Sequence, residues 1–149
     1  MQRLFALILV MLAPLALQAA GAERFITKVE LPSGQTAVVA EGDFEARSIG
    51  SFSVRLYQAA SPGDETTFFS MGLVRVRDGA IEEVELTDID GDRKPEIIVI
   101  VRSAGSGGYL SSHAFAYDDN RLTLLNTAEG LPSNADPVEA LRISKMKEQ

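Results

Sequence analysis

Cysteine and tryptophan are absent from the 149-residue chain, and histidine occurs once, at His113. The first absence excludes disulfides, thiolate metal sites and thiol nucleophiles, so stability must come from packing alone. A lone histidine leaves little room for acid–base catalysis built on imidazole. A positive excess is missing too. With 14 basic against 21 acidic residues the chain is acidic, which argues against nucleic acid and favours a basic partner. After residue 22 no apolar run approaches the roughly 20 residues a membrane span requires.

The one long apolar run lies at the N-terminus. Arg3 precedes it, Leu4 to Leu17 is apolar apart from Pro14, and Ala20-Gly21-Ala22 has the small side chains of a cleavage site. Residues 1–22 therefore read as a secretory signal peptide, cut after Ala22, Ala20 or Ala19, and no membrane association is expected after cleavage. The remainder, 23–149, has the size of one domain, with 13 basic and 21 acidic residues and a formal charge of −8.

Short alternating segments dominate that remainder. Phe52, Val54 and Leu56 alternate with Ser53, Arg55 and Tyr57, the pattern of a strand with one buried face. Ile97 to Val101 is a continuous β-branched run, as in a strand buried on both faces. Further strands are predicted over Arg24–Leu31, Gln35–Ala40, Phe68–Arg77, Ile81–Leu86, Ser111–Ala116 and Arg121–Asn126. Asp78-Gly79 predicts a type I′ hairpin between two of them, and Thr127–Ala135 reads as loop. Asp136 and Pro137, with Glu139 three residues after the cap, predict the start of a short C-terminal helix ending near Lys145. The fold class expected is all-β, an antiparallel sandwich of about eight strands with that helix appended.

Two stretches carry candidate chemistry. Between the Ile97 strand and the Ser111 strand lie seven residues, Ser103 to Tyr109, with Gly105, Gly107 and Gly108 among them. Two residues suffice to close a hairpin, so seven suggest a thin tip with a use, presenting the Ser106 hydroxyl and the Tyr109 phenol. The plainer alternative is a flexible turn with Tyr109 packed on the sheet edge. Asp88-Ile89-Asp90-Gly91-Asp92-Arg93-Lys94-Pro95-Glu96 spaces Asp88, Asp90, Asp92 and Glu96 as in calcium turns. It occurs once, holds two cations and lacks glycine at its sixth position, so an acidic hairpin turn is favoured over a metal site. Ser106 lacks the glycine two residues before it that a nucleophile elbow requires, and no pair of carboxylates is marked for glycoside hydrolysis. No enzyme and no cofactor is expected.

With Leu31-Pro32-Ser33-Gly34-Gln35, Ala40 to Glu45, Gly50 to Tyr57, Pro95-Glu96 and Arg121 to Leu125 in view, the chain resembles the periplasmic inhibitors of invertebrate-type (i-type) lysozymes. That family carries a Ser-Gly-x-Tyr motif on a protruding loop that enters the lysozyme cleft; here the matching residues are Ser106-Gly107-Gly108-Tyr109, with Gly105 before them. The resemblance implies a β-sandwich, a periplasmic address in a Gram-negative bacterium, an i-type lysozyme as protein partner, and a homodimer as one available assembly. The alternative from another class is a calcium-dependent periplasmic binding or adhesion module organised on Asp88 to Glu96.

Overall fold

The computed structural model describes residues 23–147; the segment read as a signal peptide lies outside the described residues. Eight strands and one helix follow in order: β1 Ile26–Glu30, β2 Thr36–Glu41, β3 Ile49–Gln58, β4 Phe68–Asp78, β5 Ala80–Thr87, β6 Glu96–Arg102, β7 Leu110–Asp118, β8 Arg121–Leu131 and α1 Pro137–Lys147. They form two four-stranded antiparallel meanders, β1-β2-β3-β4 and β5-β6-β7-β8. The expected sandwich class is what the chain adopts.

Period-two alternation decides what lies between the sheets. Phe52, Val54 and Leu56 of β3 point inward with Ala37 and Val39 of β2, and they meet Ile97, Val99 and Val101 of β6 and Phe115 of β7. Phe52 and Phe115 touch edge to face with centroids 6.1 Å apart. The alternate residues of β6, Ile98 and Ile100, face the other way into a second core with Leu110, Ala114, Ala128 and Leu141 of α1. The helix thus forms a third layer, and it is why β6 carries apolar side chains without alternation. Polar residues fasten it: Ser112 Oγ donates to the Pro137 carbonyl at 2.9 Å and Asn126 Nδ2 to the Leu141 carbonyl at 2.7 Å. Asp136 caps it as expected, Oδ1 accepting from Val138 N at 2.9 Å and Glu139 N at 3.0 Å.

Two expectations are corrected. Asp78-Gly79 is no hairpin turn: β4 pairs with β3 and β5 with β6, so the dipeptide is the crossover from one sheet to the other. Gly79 does adopt the positive φ (112°) that the dipeptide signals, but its N–H goes to the Ser48 carbonyl at 2.8 Å, and a Cβ there would overlap the Arg102 carbonyl. A close approach between the sheets is what demands this glycine. Thr127 to Leu131 is not loop either, for β8 continues to Leu131, paired with Leu110. Register shifts near Leu110 and Ala114 interrupt the alternation that would have marked it.

Candidate functional site

Seven residues, Ser103 to Tyr109, close the β6–β7 hairpin, and the tip they form is built by local hydrogen bonds. Ser103 N donates to the Tyr109 carbonyl at 2.8 Å at the base, and Gly108 N to the Gly105 carbonyl at 3.1 Å, which places Ser106 and Gly107 at the summit of a β-turn. Ser103 Oγ accepts from Gly105 N at 3.2 Å. Gly108 takes φ 53°, a conformation that favours glycine. Gly107 is needed for a different reason: a Cβ there would overlap the Tyr109 ring, which lies over it. Ser106 is exposed, and Tyr109, 54% exposed, projects from the tip immediately before β7 begins.

The tip is also held from beside. Arg102, the last residue of β6, donates from Nη1 to the Gly108 carbonyl at 2.9 Å, while its Nε and Nη2 form a two-pronged ion pair with Glu82 of β5. That hydrogen-bonded pair holds the Glu82 carboxyl below its ordinary range. Two further segments reach the same end of the sandwich. The Ile49 end of β3 pairs with Asp78, and the Gly79 crossover packs against Arg102 and Ser103 at the base of the tip. Ile49, Gly50, Val76, Asp78, His113 and Tyr109 border one groove there. His113 is buried under it against the Phe52 ring, centroids 5.5 Å apart, and burial pushes its imidazole below the ordinary value. Packed in this way, the ring is a structural part of the interior.

The acidic turn lies at the other end of β6. Asp88 Oδ1 accepts from Asp90 N at 3.2 Å and Gly91 N at 2.7 Å, and its Oδ2 from Arg93 N at 2.9 Å. Asp90 and Asp92 accept from Asp92 N and Lys94 N in turn, so the turn closes on its own amides. Asp88, Asp90 and Glu96 bring one oxygen each within 4.8 Å of one another. Asp92 is not part of that group.

Glu96 is buried, with Oε2 accepting from Ile89 N at 2.9 Å, and burial, then its repulsion by Asp90, Asp92 and Asp88, pushes its carboxyl above 4.5. A carboxyl raised in the fold contributes stability that is complete below the unfolded value and lost as pH rises through the folded one. Glu96→Gln, which keeps an acceptor for Ile89 N, is therefore expected to raise the melting temperature at pH 7 by a few degrees, the difference closing near pH 4. Wild-type melts with calcium and with chelator are expected to coincide. A midpoint that climbs with micromolar calcium, and ceases to do so in the Glu96 variant, would instead establish the turn as a metal site.

The family model described as periplasmic lysozyme inhibitor of I-type lysozyme matches residues 23–145. The chain is similar to the crystal structure of the periplasmic lysozyme inhibitor of I-type lysozyme from Aeromonas hydrophila, at 47% identity and a TM-score of 0.74, over 78% of this chain and 98% of that one. It is equally similar to the same inhibitor in complex with Meretrix lusoria lysozyme, at 47% identity and TM-score 0.74, over 79% and 95% of the two chains. Comparison with curated protein sequences returns no match.

Proposed function

The chain belongs to the family of periplasmic lysozyme inhibitors of I-type lysozyme, inhibitor proteins and not enzymes, and from that membership we propose that it blocks the substrate cleft of an i-type lysozyme with the tip Ser106-Gly107-Gly108-Tyr109. The tip carries this assignment. The summit is thin and carries one hydroxyl and one half-exposed phenol, a shape suited to entering a cleft. Lysozyme clefts bind their substrate between two carboxyl groups, and a serine hydroxyl and a tyrosine phenol are uncharged donors able to hydrogen-bond a carboxylate. The Aeromonas hydrophila relative has been crystallised with a lysozyme, which supports a lysozyme as the partner here. The family's description supports a periplasmic address, in line with the signal peptide read in residues 1–22. Acidic charge over the body would speed encounter with a basic lysozyme.

Lysis of bacterial cell walls by an i-type lysozyme, followed with rising amounts of the purified mature protein, tests the proposal. Full inhibition at near-stoichiometric amounts is expected; undiminished lysis would refute it. The Tyr109 ring resting over Gly107 adds a sharper expectation. Gly107→Ala leaves the backbone unstrained, since Gly107 is not at positive φ, but displaces that ring. Inhibition should weaken by about tenfold, as for a central aromatic contact partly lost, with the melting temperature kept within a few degrees. Unchanged inhibition in this variant would mean that the ring's position over Gly107 does not matter for binding.

A further inference from the structure

A buried arginine stands behind the groove beside the tip. Arg77, the penultimate residue of β4, is 3% exposed. Its Nε donates to the Ser51 carbonyl at 3.0 Å, Nη1 to the Arg47 carbonyl at 2.9 Å and to the Gly79 carbonyl, and Nη2 to the Ala46 carbonyl at 3.1 Å. Its charge is met at longer range by Glu41 at 4.0 Å and Glu45 at 3.9 Å. Those carboxylates are themselves tied in, Glu41 accepting from Ile81 N at 2.8 Å and Glu45 from Ser51 N at 2.5 Å and Ser51 Oγ at 2.7 Å. The Ser51 bonds, with lesser help from Arg77 and Arg24, keep the Glu45 carboxyl below its ordinary range.

These bonds converge on one short stretch of backbone. Three of the four carbonyls belong to the stretch 46–51, most of which precedes or begins β3, and the fourth to the crossover glycine. Ile49 and Gly50 of that stretch border the same groove as Tyr109. An irregular stretch left unfastened would have to be ordered when a partner binds, and each ordered residue costs roughly 1–2 kcal/mol of backbone entropy. Only a planar fork with five donors can hold carbonyls on two sides at once; a lysine ammonium cannot reach them all.

We propose that Arg77 is a positioning residue for inhibition: it fixes residues 46–51 and the Gly79 crossover as the second wall of the groove bordered by Tyr109, so that both walls meet the lysozyme already ordered. This rests on the lysozyme reading above. The apparent affinity of a contact surface that is ordered only part of the time falls by that fraction. If Arg77→Lys leaves the wall ordered about a tenth of the time, the inhibition constant rises about tenfold.

The test compares wild type, Arg77→Lys and Tyr109→Ala for inhibition of an i-type lysozyme, melting temperature, and amide exchange free and bound. Arg77→Lys is expected to inhibit about tenfold less well, with faster exchange across 46–51 in the free protein, protection regained in the complex, and no change in β6. Wild-type inhibition despite the faster exchange would overturn the proposal, as would weaker inhibition with unchanged exchange. Should Arg77→Lys fail to fold, Glu45→Ala loosens the same stretch from its solvent side and must give the same pattern. Loss of inhibition in Tyr109→Ala but not in the Arg77 or Glu45 variants refutes the positioning role alone. No loss in Tyr109→Ala removes the reading of the tip on which the role depends.

Discussion

Tyr109→Ala is expected to raise the inhibition constant against an i-type lysozyme by about thirtyfold or more, the equivalent of about 2 kcal/mol or above for a central aromatic anchor, while the melting temperature stays within a few degrees of wild type. The phenol stands half exposed on the tip, so little packing is lost with it. Ser106→Ala, which removes one hydrogen-bonding hydroxyl, should weaken inhibition less, by about tenfold, the lower end for a single bond to a charged group. Inhibition and thermal stability measured on the same preparations decide between readings. A Tyr109 variant that unfolds would make the ring a packed edge residue, and one that folds and inhibits fully would place the inhibitory surface elsewhere on the sandwich.

Much of the architecture was legible because it is local. The alternation through Phe52, Val54 and Leu56, the unbroken run from Ile97 to Val101 and the Asp136 cap each state their environment in a few residues, and the structure has all three as read. The seven-residue tip between β6 and β7 was legible for the same reason: strand residues stop at Arg102 and resume at Leu110. What failed depended on residues distant in sequence. Asp78-Gly79 has the composition of a hairpin turn, and only the pairing of β4 with β3 and of β5 with β6 makes it a crossover. Thr127 to Leu131 was hidden by bulges whose partner lies on β7.

The surroundings of the tip were the least legible part. Arg77 reads in sequence as one of two arginines alternating along an exposed strand, and nothing local says that it is buried. Its partners Ala46, Arg47 and Ser51 lie 26 or more positions earlier, and they are backbone carbonyls, which carry no residue signal. The Arg102 bond to the Gly108 carbonyl is near in sequence yet equally silent. The alternation even points the other way, for Val74 and Val76 are the apolar alternates and yet are exposed, while Arg77 takes the inward position in step with Leu73 and so needs buried acceptors.

Phe115→Ala should have the largest effect on stability, a loss of about 3–5 kcal/mol, read as a lower midpoint in denaturant at an unchanged slope. Phe115 is fully buried between the sheets, pairs with Ile97 across β6 and β7, and meets Phe52 edge to face, so its removal opens a cavity that both sheets line. With no disulfide to limit the unfolded chain, nothing but packing offsets that loss. A domain of this size is commonly stable by about 5–15 kcal/mol, and the variant would lack a predominant folded population only at the lower end of that range. Phe115→Leu, which keeps most of the volume, should cost markedly less. If the alanine variant costs less than about 1 kcal/mol, the sheets close over the gap and the core between β3 and β6–β7 is not the rigid frame that holds the tip; if it costs the full amount yet the folded fraction still inhibits, the tip is held by its own hydrogen bonds and the Arg102–Glu82 pair, independently of the core beneath.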